Sequence, residues 1–178
     1  TWSANYTISL NPNGNVRTIE LRNTTAQYVG FEAFEVLPGI PALGIGNYEE
    51  TNGNLTYAGG WLSYVAAGPK GGSLKYTNDP TAKIGFKVDT TVGQVIIYRT
   101  MASVYGPMDV YVDGLLVAAI PGTNATVLWQ QPFTVTINPG NHTIEVRNAS
   151  NNYIGFEAFD LLAPLPSSTA TPGPTRTP

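Results

Sequence analysis

The chain has 178 residues, a formal net charge of −3 and no cysteine. Only 12% of its residues are charged, about half the share in an average globular chain, while 42% are apolar and 11% aromatic. These values exclude a disulfide or cysteine-metal framework and offer no basic cluster for nucleic-acid phosphates. The longest apolar run, Leu115 to Ile120, falls far short of the roughly 20 residues of a membrane span.

Along the chain the apolar pattern has period two, the signature of strands. Tyr6-Thr-Ile8-Ser-Leu10 alternates cleanly, and residues 1–38 read as three strands. Gly39 to Gly46, with its Gly, Pro and Ala, reads as a junction. From Asn47 to Leu162 the turn and strand signals predict about eight or nine strands and little or no helix. Met108–Val112, Asp113-Gly114 and Leu115–Ile120 form a two-residue hairpin signal. Phe133-Thr-Val135-Thr-Ile137 alternates again, and Asn138-Pro-Gly140-Asn141 separates it from the next strand. After Pro164 the composition turns to Thr and Pro, which reads as an extended linker or tail over 165–178. The expectation is an all-β, antiparallel, jelly-roll-like sandwich at 47–164, preceded by extra strands.

Those extra strands are a partial repeat. Residues 18–38 (TIELRNTTAQYVGFEAFEVLP) match residues 143–163 (TIEVRNASNNYIGFEAFDLLA), with 12 of 21 positions identical. Upstream, Trp2 aligns with Trp129, Tyr6-Thr7-Ile8 with Phe133-Thr134-Val135, and Asn11-Pro12 with Asn138-Pro139. A period of about 125 residues is the length of a sandwich domain, not of a solenoid unit. Residues 1–38 therefore read as the last three strands of a preceding module, or as strands donated to a neighbour. The reading expects them, like residues 129–162, to form an antiparallel meander.

The complete module resembles a family of bacterial extracellular β-sandwiches related to galactose-binding-like and carbohydrate-binding modules. The resemblance rests on Asn47-Tyr-Glu-Glu50, Tyr57-Ala-Gly-Gly-Trp61, Gly71-Gly-Ser-Leu-Lys-Tyr76, Met108-Asp-Val-Tyr-Val-Asp-Gly114, Gly140-Asn-His-Thr-Ile-Glu145 and Gly155-Phe-Glu-Ala-Phe159. It implies an extracellular location. It also implies a structural calcium between acidic residues of the first and last strands. The matching carboxylates are Glu49 or Glu50 with Glu157 or Asp160, hard oxygen ligands that suit calcium.

Catalysis finds no support in the residues. The lone histidine, His142, has no nucleophile-elbow motif to serve. Glu49 and Glu50 are adjacent in a strand, so they point to opposite faces. A glycan site would draw on Trp61, Tyr64, Tyr98 and Tyr105 as stacking surfaces, with Asn78 for hydroxyls. Six Asn-X-Ser/Thr sequons occur, at Asn5, Asn23, Asn54, Asn124, Asn141 and Asn148; Asn/Thr-rich turns produce such sequences on their own. The function expected is a non-catalytic structural or adhesive module of an extracellular repeat protein. Its partners would be other copies of the module, assembled head-to-tail through strand complementation. The alternative is a carbohydrate-binding module of a larger secreted protein.

Overall fold

The computed structural model describes residues 40–166. The N-terminal copy, with Asn5 and Asn23, and the tail beyond residue 166 lie outside the described residues. The chain divides between Gly39 and Ile40.

The described part is all β. Its strands are β1 (Ala42–Leu43), β2 (Gly46–Glu49), β3 (Thr56–Ala58), β4 (Leu62–Val65), β5 (Ser73–Thr77), β6 (Lys83–Val88), β7 (Gln94–Met101), β8 (Met108–Val112), β9 (Leu115–Ile120), β10 (Leu128–Thr136), β11 (His142–Asn148) and β12 (Ile154–Leu162). A single 3₁₀ turn at Lys70–Gly72 precedes β5. Sheet A has the order β1-β6-β11-β8-β9, with β3 also on β6; sheet B has the order β10-β7-β12-β5-β4, with β2 also on β12. All pairs are antiparallel except β1 with β6.

This is the expected β-sandwich, with more strands than the sequence suggested. Eleven strands, β2 to β12, fall where eight or nine were expected. β3 and β4 are only three and four residues long, too short to show a period. β1 and the first residue of β2 lie within the stretch read as a junction, which therefore contributes to both sheets.

The meander expected at residues 129–162 does not form. β10 and β12 both belong to sheet B but are separated by β7, and β11 crosses to sheet A between β6 and β8. The physical reason is the two-sided core. β11 turns Ile144 and Val146 inward from sheet A, while β12 turns Phe156, Phe159 and Leu161 inward from sheet B. Successive strands from β5 onward thus mostly alternate between sheets, the pattern of a jelly roll.

The core is closed by aromatic contact across the sheets. Phe86 of β6 stacks on Phe159 of β12 at 4.3 Å between centroids, and Phe156 lies 6.1 Å from Phe159. The β8–β9 hairpin turns where expected. Asp113 and Gly114 both take positive φ, 51° and 82°, as a two-residue type I′ turn requires.

Candidate functional site

The site lies on the face of sheet B turned away from the core. Cross-strand partners project to the same face, so the register Tyr64↔Leu74, Leu62↔Tyr76, Tyr76↔Gly155 and Gly155↔Thr100 places these side chains together. Gly155 leaves room there for a ring: a Cβ on it would lie 2.9 Å from Tyr105 Cε2. The segment carrying Tyr105 is tied down on both sides of Tyr153, through Gly106 N to Tyr153 O at 2.7 Å and Tyr153 N to Val104 O at 3.2 Å.

The fourth ring arrives by an irregularity. β10 loses register with β7 between Leu128 and Gln131, and Gln130 takes a positive φ of 55°. This bulge turns Trp129 over sheet B, where it stacks nearly parallel to Tyr64 from the far edge strand, 6.2 Å between centroids and 8° between planes. Gly68 lets the β4–β5 loop reach the indole: a Cβ at Gly68 would sit 2.4 Å from Trp129 Nε1. Tyr64, Tyr76, Tyr105 and Trp129 line a cleft of about 200 Å³. Tyr153 extends the cluster, 6.0 Å from Tyr76 and 6.4 Å from Tyr105.

Glu157 fastens this architecture from beneath. It is fully buried, and its carboxylate accepts from Thr100 Oγ1 at 2.7 Å, Lys70 N at 2.8 Å and Gln130 N at 3.0 and 3.1 Å. One side chain thereby joins β7, the β4–β5 loop and the β10 bulge to β12. Next to it, Lys70 Nζ holds both Asp160 oxygens at 2.9 and 3.0 Å and rests 3.4 Å above the Tyr98 ring. Tyr98 donates its hydroxyl to Asp160 at 2.8 Å. Burial would raise the Asp160 carboxyl, but hydrogen bonds from Asn47, Lys70 and Tyr98 outweigh it and hold the group below its usual range. Tyr105 is raised, first by burial and then by the neighbouring Tyr76 and Glu157.

The structure sorts the expected residues. Tyr64 and Tyr105 meet in the cleft. Trp61 does not: it packs against the core edge-on to Tyr57 and donates its indole N–H to Ala58 O at 2.9 Å. Tyr98 has a ring face covered by Lys70. Asn78 is exposed in the turn after β5, away from the lining residues. Tyr76 and Trp129 were missed; the recurrence of Trp129 as Trp2 was the one signal pointing to it.

The four candidate calcium ligands lie at the β2–β12 end of sheet B, and among the described residues no three acidic or histidine side chains are grouped as a metal site. Both oxygens of Glu157 and of Asp160 are occupied as above. Glu49 and Glu50 diverge, Glu49 exposed and Glu50 buried. Glu50 Oε1 accepts from Ser73 at 2.5 Å and Oε2 has no hydrogen-bond partner.

Among the sequons, Asn148 is held inside the fold. It is buried, donates to Asp79 O and Asn152 O, and accepts from Ser150 N at 3.1 Å. An Asx turn thus accounts for its Asn-X-Ser spacing. Asn124 turns its amide onto Thr126, while Asn54 is half-buried and Asn141 exposed.

A larger depression, about 470 Å³, lies on the outer face of sheet A among Lys83, Asp109, Tyr111 and Arg147. Its aromatic surface is already taken, since Arg147 lies 3.8 Å over the Tyr111 ring while bound to Glu145. Of these two depressions among the described residues, the sheet B cleft is the one with uncovered aromatic walls.

The fold is shared with several solved structures. A family 35 carbohydrate binding module from Clostridium thermocellum superposes with a TM-score of 0.51 at 18% identity, covering 67% of this chain and 99% of that one. The Agl-KA catalytic domain gives a TM-score of 0.54 at 16% identity, over 80% of this chain and 32% of that one. A Paenibacillus xanthan lyase gives 0.54 at 17% identity, over 68% and 13%. The chain thus spans about a third of the first of these enzyme structures and a smaller part of the second, but matches the binding module over nearly its whole length. No protein-family model and no curated protein sequence matches the chain.

Proposed function

We propose that residues 40–166 form a non-catalytic glycan-binding module of an extracellular protein. The observation that carries this reading is the cleft of Tyr64, Tyr76, Tyr105 and Trp129. Aromatic rings offer sugar C–H faces an apolar surface, and the tyrosine hydroxyls supply donors and acceptors for sugar hydroxyls. The fold likeness to a carbohydrate binding module supports it. The acids nearest the cleft are unsuited to general acid–base work: Glu157 is saturated with hydrogen bonds and Asp160 is neutralised by Lys70.

The test is affinity electrophoresis of the whole chain through gels containing soluble polysaccharides. Base-on-aromatic stacking is worth about 1–3 kcal/mol in nucleic-acid binding. A comparable loss in Trp129→Ala or Tyr64→Ala would weaken retention roughly five- to hundredfold. Trp61→Ala should leave retention unchanged. Retention unaffected by Trp129→Ala and abolished by Trp61→Ala would contradict the reading.

We further propose that the module belongs to a tandem array, the reading supported by the repeat. The described domain contains its own β10, β11 and β12. It is the N-terminal copy that lacks counterparts of β6, β7 and β8, and these would come from a preceding module or a neighbouring subunit.

A further inference from the structure

We propose that the cleft takes neutral sugar chains and rejects polyuronates, an inference that rests on the glycan reading. The cleft is lined by aromatic side chains alone. A sugar carboxylate entering it would lose water without meeting a cation, which is costly unless a partner replaces the solvent. Among the described residues the ammonium at this end of the face is that of Lys70, and Asp160 and the Tyr98 ring already hold it.

The surrounding charge points the same way. Glu157 lies directly behind the Trp129–Gln130 bulge. Asp160, Glu49 and Glu50 follow at the β2–β12 end of the same sheet, where Glu49 pairs with Ala158. Four carboxylates against the Lys70 ammonium and the Arg99 guanidinium, which donates to Gln131 O at 3.1 Å, still leave this end with an excess of negative charge. The Tyr105 hydroxyl, at the cleft wall, is raised first by burial, then by Tyr76 and Glu157. A neutral hexopyranose carries no net charge, so this excess does not repel it as it repels a carboxylate.

The sequence supplies a second, independent observation. The N-terminal copy matches Trp2 to Trp129, Tyr28 to Tyr153, Gly30 to Gly155, Glu32 to Glu157 and Glu35 to Asp160. The aromatic, the glycine that admits a ring and the acids behind them recur together.

The experiment titrates the whole chain, by calorimetry, with neutral glucan, mannan, galactan and xylan oligomers and with oligogalacturonate. Each is run at about 20 mM and about 500 mM salt, where screening shortens from roughly 20 Å to roughly 4 Å. The expected result is binding to at least one neutral series, insensitive to salt and weakened tenfold or more by Trp129→Ala. Oligogalacturonate should bind at least tenfold more weakly at low salt, and the gap should narrow at high salt and in the exposed variant Glu49→Gln. Oligogalacturonate binding at low salt as tight as any neutral ligand, and lost in Trp129→Ala, would overturn the selectivity while leaving the glycan site standing. Binding of no ligand by the wild-type chain would overturn the glycan reading itself, and the selectivity with it.

Discussion

At the scale of single residues, the cleft depends on two glycines as much as on its rings. Gly68→Ala would place a methyl group 2.4 Å from Trp129 Nε1 and push the indole off Tyr64. We expect it to weaken glycan retention as much as Trp129→Ala while shifting Tm little, a difference that thermal unfolding beside affinity electrophoresis would show. Tyr64 and Tyr105 were legible in the sequence as aromatics near strand ends. Trp129 was not, because the bulge that redirects it carries no turn signature: Gln130 holds a positive φ that its identity does not announce. His142 was legible only as a turn residue. Its Nδ1 lies 2.6 Å from Asp113 Oδ2 and its Nε2 2.8 Å from Asn138 O. Both neighbours only accept, so the ring fills both contacts when doubly protonated. The Asp113 hydrogen bond, opposed by burial and aided by Asn138, raises the imidazole above 6.5. For Asp113, burial is outweighed by the Thr143 amide and His142, which lower it from 3.8. The imidazolium's contribution is therefore complete below about pH 6.5 and is lost as pH rises through the raised folded value; that of Asp113 is lost as pH falls through its lowered value. Partly exposed pairs are worth about 0.2–1 kcal/mol, so Tm should fall by roughly 1–3 °C from pH 6 to pH 9 in the wild type and not in His142→Gln. An identical pH response in the variant would contradict this clamp. Calcium offers a related check at Glu50. Millimolar calcium against chelator should leave Tm within about 1 °C, whereas a rise of several degrees that Glu50→Gln removes would assign a cation to its free oxygen.

At the scale of elements, β12 is the keystone. Eight of its nine residues are buried, because the core covers one face while the β4–β5 loop, the β10 bulge and the Tyr105 segment cover the other. Its sequence IGFEAFDLL shows this as a run without clean alternation, the mark of a strand covered on both sides. The bulge between Phe156 and Ala158 shifts the alternation by one residue, so that Phe156 and Phe159 both face the core, and no sequence rule located it. Phe159→Ala removes the ring that stacks on both Phe86 and Tyr48, and should cost about 3–5 kcal/mol of unfolding free energy. Glu157→Ala leaves buried donors on Thr100, Lys70 and Gln130 without an acceptor, at about 1–3 kcal/mol for each such group. Chemical denaturation measures both. A loss below 1 kcal/mol in Glu157→Ala would deny it the fastening role. The β8–β9 hairpin was fully legible, since Asp-Gly dictates its own turn. The path of β10 to β12 was not, because alternation fixes which side chains face inward but not which sheet a strand joins.

At the scale of the whole molecule, the all-β sandwich followed from period-two patterning, frequent turn residues and the lack of any helical stripe. The placement of a ligand cleft on one outer face did not, since it needs five strands and two loops in register. The repeat links this scale to the site, for Trp129, Gly155 and Glu157 all come from the segment that recurs as Trp2, Gly30 and Glu32. A polypeptide holding two complete modules should therefore bind a long glycan more tightly than one module by 10²- to 10⁴-fold when linker geometry permits, and equal affinity would deny the array a shared ligand. The central claim is that the sheet B cleft receives sugar, and the most direct test is an NMR titration of the chain with neutral oligosaccharides. The account predicts that the largest shifts fall on the Trp129 indole N–H and on the amides of Tyr64, Tyr76, Tyr105 and Gly155, with the Trp61 indole unmoved. Shifts centred on Trp61 and Asn78, with Trp129 unmoved, would contradict it.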